Sequence, residues 1–342
     1  MRRSPLAAIT LIVLATCLVL AGCSTEPIKS GSASNSSSSA HLRTGPQTAT
    51  VTTPAIRPIA DNPAPTLPAT VPSFGAGSVT VRSTDRIISL DRNGTLGTIV
   101  YSLGLGAHVV ARDQSTTFPQ AASLPVVTGG AHQVDVEAVL KANPTVVLAD
   151  ELTGAATLNQ LRAAGLTVVV FSGDRSVSGA PTLIEQVAAA LGVPGPGKLL
   201  ADRTRTEITD AIKQVPHANP RPKIAFMYLR GSLQFIAGKD SSADGLIDAL
   251  GGSDAGADAG LTTEFTQITP EAMIDANPAV LLVMSQGAES IGGMDAVLKL
   301  PGIAQTDAGR ERRIVQMDQT ELLAFGPDTG AVITALAQAI YK

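Results

Sequence analysis

Tyr228 and Arg230 stand two positions apart in the run Lys223-Ile-Ala-Phe-Met-Tyr228-Leu-Arg230-Gly231, and that spacing has a chemical use. A phenolate binds ferric iron well, yet a free tyrosine gives up its proton only at a pH of about 10. A guanidinium within hydrogen-bonding reach favours the charged form. The run reads as a strand over Lys223 to Tyr228, and alternation along it sends positions 228 and 230 to one side. On their own the two residues read equally well as a surface tyrosine and arginine at a strand end.

Histidine is the second side chain with ligand chemistry, and the chain has four. His41 lies in a Ser/Thr/Pro-rich stretch, His108 abuts an apolar run, and His217 sits in a proline-rich segment. His132 closes Gly129-Gly130-Ala131-His132, a loop just ahead of a helix signal, on the side where α/β lobes open into a cleft. A lone loop histidine is usually only a solvated side chain. Thr266 occupies the matching position of the repeat described next, so the repeat itself does not require histidine there.

The elements that position these residues come in two copies. Gln133-Val-Asp-Val-Glu137-Ala-Val-Leu-Lys-Ala-Asn143-Pro144-Thr-Val-Val-Leu148 recurs as Gln267-Ile-Thr-Pro-Glu271-Ala-Met-Ile-Asp-Ala-Asn277-Pro278-Ala-Val-Leu-Leu282, offset by 134 throughout. Each copy predicts a polar loop, a short helix starting near the Glu, an Asn-Pro stop that forbids helix continuation, and a buried strand. Strand signals at Arg86 to Leu90, Val109 to Ala111, Val168 to Phe171 and Ile314 to Met317 alternate with helices. The helices fall at Thr95 to Leu103, Pro181 to Leu191, Ser242 to Leu250 and Gly330 to Ile340. Such alternation describes α/β lobes. Between the halves, Leu200, Thr204, Ile208, Ala211, Ile212 and Val215 recur at helical spacing over Pro196 to Val215, which predicts one strut of about 30 Å.

The N-terminus reads as an export leader: Arg2 and Arg3, an apolar run from Leu6 to Leu20, then Ala21-Gly22-Cys23. That run is short of the roughly 20 residues a spanning helix needs. Leu20-Ala21-Gly22-Cys23 resembles the bacterial lipobox, which implies lipidation of Cys23. Residues 24 to about 77 are Ser/Thr/Pro-rich, a composition with little apolar surface to offset ordering entropy, and read as a flexible tether. The predicted organisation is therefore residues 1–22 signal peptide, 23–77 lipidated cysteine and disordered linker, 78–195 N-terminal lobe, 196–217 interlobe helix and 218–342 C-terminal lobe. The mature chain keeps no cysteine besides Cys23, so disulfides and cysteine-based zinc sites are excluded. A formal net charge of −4 with no basic block argues against nucleic acid as partner.

Two α/β lobes joined by one long helix, behind a lipoprotein signal, resemble the solute-binding proteins of ABC importers for siderophores, cobalamin and haem, over essentially all of residues 80 to 342. The resemblance implies two Rossmann-like lobes in the class III periplasmic-binding-protein fold. It also implies that Glu137 and Glu271, one per lobe, dock onto a permease dimer carrying its ATPase. A carboxylate in the first turn of each repeated helix is well placed electrostatically in any case.

His132 in one lobe, with Tyr228 and Arg230 in the other, resembles the haem-binding members found in actinobacteria. The stretch from Arg112 through Phe118-Pro119 to His132 resembles them too. In those proteins His and Tyr ligate the iron from opposite faces and the Arg supports the Tyr. The resemblance thus implies a monomeric lipid-anchored receptor on the outer face of the cell membrane. It captures ferric haem for an ABC importer, takes part in iron acquisition and is not an enzyme. The sequence does not say which residues hold the haem propionates; Arg112 and Lys239 are loop cations worth testing for that part. A ferric-siderophore or cobalamin binder of the same family is the alternative, and an α/β enzyme a more distant one. Gly104-Leu-Gly106 lacks the third glycine of a dinucleotide site, and Gly251 to Gly260 lacks calcium-loop spacing.

Overall fold

The computed structural model describes residues 41–51, 56–231 and 233–342. Cys23, the apolar leader and the first part of the expected tether lie outside the described residues.

Strands β1 (Gln47–Thr48), β2 (Ala69–Ser73) and β3 (Gly77–Val81) precede the first large sheet. That sheet forms the N-terminal lobe from β4 (Ile87–Leu90), β5 (Val109–Arg112), β6 (Val146–Asp150) and β7 (Val168–Phe171), all parallel in the order β5-β4-β6-β7. Its central strands are Val- and Ile-rich and buried on both faces, so they read in sequence as unbroken apolar runs. Helices α1 (Thr95–Ser102), α2 (Val136–Lys141), α3 (Ala155–Ala163) and α4 (Ala180–Ala190) cover the sheet. Glycines with φ near +90° follow α1 at Gly104 and α3 at Gly165, where a left-handed residue ends the helix without a Cβ penalty.

Helix α5 (Pro194–Gln214) then crosses to the second lobe. It starts two residues before the expected Pro196, because Pro194 takes the first helical position, where a missing N–H costs nothing. Leu200, Ala201, Thr204, Ile208 and Ala211 face inward. The strut is wedged tightly at both lobes. A Cβ on Gly197 would come within 2.2 Å of the Ala188 side chain on α4, and one on Gly330 within 2.7 Å of the Glu207 backbone.

The C-terminal lobe holds β8 (Lys223–Arg230), β9 (Leu233–Ala237), β10 (Ser253–Asp254), β11 (Phe265–Gln267), β12 (Val280–Met284) and β13 (Ile314–Met317). Together with β1 they form one sheet ordered β1-β13-β12-β8-β9-β11, with β10 beside β8. The β8–β9 and β9–β11 pairs are antiparallel and the rest parallel. Helices α6 (Ser242–Ala249), α7 (Ala255–Asp258) and α8 (Pro270–Ala276), and a terminal helix over Thr329–Ile340, complete it.

The two copies of the repeat fold alike. Asp135 caps α2 by accepting from the Ala138 N–H, and Thr269, 134 positions on, caps α8 by accepting from the Ala272 N–H. Asn143 and Asn277 both adopt left-handed backbone, with φ of 45° and 40°, a conformation Asn tolerates better than most residues. The strands that follow, β6 and β12, occupy identical positions of the repeat and are buried along their full length.

The reading of residues 24–77 as a disordered tether fails over its described part. Leu42 bridges Tyr341, β1 extends the second sheet beside β13, and the Ala49 N–H donates to Gln316 O at 2.8 Å. Further on, the Ile59, Thr66 and Phe74 N–H groups donate to Ser102, Gly192 and Val170 carbonyls, each at 2.8 Å. Ile56, Ile59, Leu67 and Val71 pack on the N-terminal core. Segment-average composition is poor in apolar groups, but most of the described ones pack on the cores, Phe74 staying exposed, and open sheet edges and loop carbonyls satisfy the backbone donors.

Candidate functional site

The C-terminal ends of the two sheets face a common cleft, the place where α/β sheets bind ligands. Loops leaving β4 and β5 bring Asn93, Gln114 and Ser115 to one wall, while loops leaving β12 and β13 bring Gln286 and Asp318 to the other. The cleft measures about 700 Å³, within the range of small-molecule and cofactor sites. Phe118, Leu322, Phe325 and Val332 supply apolar surface, and Val51 and Ile56 of the N-terminal segment also reach it. At the floor the lobes touch directly: Asn93 Nδ2 donates to Leu323 O at 3.1 Å and Thr95 Oγ1 to Ala324 O at 2.6 Å.

His132 lines this cavity and also a smaller polar one of about 440 Å³ beside Asp91, Arg92, Thr128 and Thr153. Its loop is strained, since Ala131 and His132 both have positive φ, 56° and 58°. For residues bearing a Cβ, each left-handed position costs about 1–2 kcal/mol. The turn is held by the Gly129 N–H donating to Gln133 O at 2.7 Å and by a bridge between Thr128 and Val134. Strain kept in place this way is common at ligand clamps. Burial, then the nearby Arg92 guanidinium, push the imidazole below its ordinary pKa against a weaker pull from Asp91. A neutral imidazole is the form that ligates metal.

Nδ1 of His132 lies 3.2 Å from Gln114 Nε2 and 3.5 Å from Ser115 Oγ. That loop is fixed from below by Asp113, whose carboxylate accepts the Ser115 and Thr116 N–H groups at 2.9 and 2.7 Å. Asp91 in turn accepts the Asn93, Thr95 and Leu96 N–H groups and so caps α1. The sequence places Asp113, Gln114 and Ser115 in a stretch of family resemblance without giving them individual roles, and leaves Asp91 unmarked. The available signal was an aspartate just past or ending three strand runs: Leu90-Asp91, Arg112-Asp113 and Ala149-Asp150.

Tyr228 stands on the other lobe near the end of β8. It is half-buried, with ring centroids 6.1 Å from Phe235 and 5.8 Å from Phe265. Alternation holds on β8. Ile224 and Phe226 enter the core cluster that Tyr228 packs against, whereas Ala225, Met227 and Leu229 enter the one behind the sheet. Arg230 pairs with Leu233 in the β8–β9 ladder, and its exposed side chain has no hydrogen-bond or ion-pair partner among the described residues. The cavity wall takes residues from the β12 and β13 loops; Tyr228 lies one strand further out at the same sheet edge and does not line it. The structure therefore puts His132 in the cleft and leaves Tyr228 and Arg230 at its flank.

Arg112 is half-buried, donating to Asp113 O at 3.2 Å, and Lys239 is exposed; neither lines the cavity. The cation beside His132 is Arg92. Glu137 and Glu271 are exposed in the first turns of α2 and α8.

The sequence profile of a family described as periplasmic binding protein matches residues 92–321. The crystal structure of the haem-binding protein HmuT is 34% identical, with a TM-score of 0.81, covering 87% of this chain and 97% of that one. Structures of HmuT with a histidine, a tyrosine or an arginine replaced by alanine match at 33% and the same TM-score, the last two replacements being two positions apart. The periplasmic haem-binding protein RhuT from Roseiflexus sp. RS-1 is 41% identical, with a TM-score of 0.70, over 75% of this chain and 98% of that one. A cobalamin-binding protein of Halobacterium salinarum is 26% identical over 285 residues, 80% of this chain and 74% of its own length.

Proposed function

We propose, from the premise that this chain belongs to the periplasmic binding protein family, that it captures ferric haem in the interlobe cleft and delivers it to an ABC importer. The observation that carries this reading is His132, whose burial favours the neutral imidazole, on a strained loop that opens onto a cavity built by both lobes. The haem-binding relatives at 34% and 41% identity support it, as does the two-position spacing of the tyrosine and arginine replaced in HmuT, which Tyr228 and Arg230 share.

In this reading His132 Nε2 and the Tyr228 phenolate approach the iron from opposite lobes. Arg230 stabilises the phenolate charge. The tilted aromatic group Tyr228, Phe235 and Phe265 gives the porphyrin an apolar face on the C-terminal side. A strut packed tightly against both lobes, at Gly197 and at Glu207, favours small rocking over wide closure. Glu137 and Glu271 meet basic sites on the two permease subunits. Cys23 carries lipid that holds the receptor at the outer face of the membrane and raises its concentration near the permease.

The second reading, cobalamin, draws on the relative at 26% identity. Adding hemin or cobalamin to the purified protein separates the two. The haem reading expects a Soret band that excess cobalamin leaves in place. A protein that takes up cobalamin and gives no Soret shift with hemin overturns it.

A further inference from the structure

Of the two polar side chains within hydrogen-bonding reach of Nδ1 of His132, Gln114 is the nearer, with its amide nitrogen at 3.2 Å. In that arrangement Nδ1 accepts, so the single ring proton of the neutral imidazole sits on Nε2. A protonated Nε2 has no lone pair to offer a metal. Ser115 pulls the other way. Its Oγ donates to Arg92 O at 2.7 Å, so at 3.5 Å from Nδ1 it can only accept, which favours a proton on Nδ1. The two neighbours thus prefer opposite tautomers. The amide alone decides between them, because half a turn about its last bond exchanges a donor for an acceptor.

We propose that Gln114 is the positioning residue that sets the tautomer of His132. With the amide nitrogen toward Nδ1 the imidazole is closed to iron, and with Oε1 toward Nδ1 it accepts the Nδ1 proton and frees Nε2 as ligand. This rests on the haem reading of the cleft and deepens it.

The surroundings suit a device that turns one amide without moving the loop. The Gln114 N–H is fixed by Thr128 Oγ1 at 2.8 Å, and the next two N–H groups are held by buried Asp113. The Gln114 side chain is only half-buried at the cavity wall, so its amide has room to rotate. Second-sphere acceptors on ligating histidines act in this way, fixing the tautomer and raising the basicity of the ring, and their loss typically costs 10–100-fold in metal affinity.

Two measurements test it. In the purified protein without haem, ¹⁵N NMR of His132 should show the proton on Nε2, and Gln114→Glu, an acceptor in either orientation, should move it to Nδ1. In the haem-loaded protein Gln114→Glu should lower the reduction potential and shift the electron paramagnetic resonance signal of the iron, while Gln114→Leu should weaken ferric haem binding about tenfold. A His132 tautomer that ignores both substitutions, or potentials equal to wild type in both, overturns the proposal. Failure of the wild-type protein to give a Soret band removes the haem reading itself, and with it any role for Gln114 toward iron; that failure is seen before any variant is made.

Discussion

The backbone N–H of Asp91 donates to the Asp113 carboxylate at 3.1 Å, placing two buried aspartates side by side at the ends of adjacent parallel strands. Each carboxylate also accepts backbone N–H groups of its own loop, so the pair fixes the start of α1 and the turn carrying Gln114 and Ser115. The site owes its shape to this arrangement as much as to the residues that line it.

The pair makes stability depend on pH. Burial, then repulsion from Asp91, push Asp113 up to about 7; burial, then Asp91, push Asp150 up to about 6, with the Arg175 guanidinium 3.5 Å away opposing. An unfolded aspartate titrates at about 3.9. Both groups therefore hold their protons more tightly when folded, and the stability this contributes is full below about pH 4 and is lost as pH rises through 6 and 7. The ligand-free protein should melt higher at pH 5 than at pH 8, and Asp113→Asn should flatten that difference. A variant with an unchanged pH profile of melting temperature would contradict the assignment.

The left-handed asparagines separate backbone from side-chain effects. Asn143 offers its conformation and a carbonyl that accepts from Arg86 at 2.8 Å. Asn277 adds two side-chain bonds to Asp307, accepting its N–H at 2.8 Å and donating to its carboxylate at 3.2 Å. Asn143→Ala should cost about 1 kcal/mol and Asn277→Ala about 2–3 kcal/mol. Equilibrium urea unfolding of both variants measures this, and equal losses would mean that the Asp307 bonds carry no net stability.

The docking role proposed for the repeated glutamates is separable from binding because both are exposed and stand outside the cavity wall. Glu137→Lys combined with Glu271→Lys should abolish haem uptake by cells while leaving the haem affinity of the purified protein within about twofold, since exposed charges at this distance are screened. Lost affinity would assign these residues a structural part instead.

The repeat was legible to the residue because its punctuation is local. Asp135 and Thr269 are capping types, and Asn-Pro can continue no helix. The strut was legible from periodicity, though the helix starts two residues before the expected Pro196 and ends at Gln214, short of the expected end. The N-terminal segment was misread because disorder was inferred from average composition, whereas its order comes from a handful of apolar side chains and from sheet edges supplied by residues such as Gln316 and Val170, far along the chain. The role of Gln114 and Ser115 is not legible for a related reason, although the stretch that holds them resembles haem binders. Their role is proximity to His132, and no spacing rule predicts which of two loops, 17 and 18 positions apart in sequence, will meet at one ring nitrogen.

Ligation of one iron by His132 and Tyr228 is the central claim, and hemin titration of the wild type, His132→Ala, Tyr228→Phe and the double variant tests it most directly. The wild type should give a Soret band and a tyrosinate charge-transfer absorption. Tyr228→Phe should lose the charge-transfer feature, His132→Ala should shift the Soret maximum, and the double variant should bind haem at least about 100-fold more weakly. Spectra and affinities indistinguishable from wild type in all three variants would contradict the account.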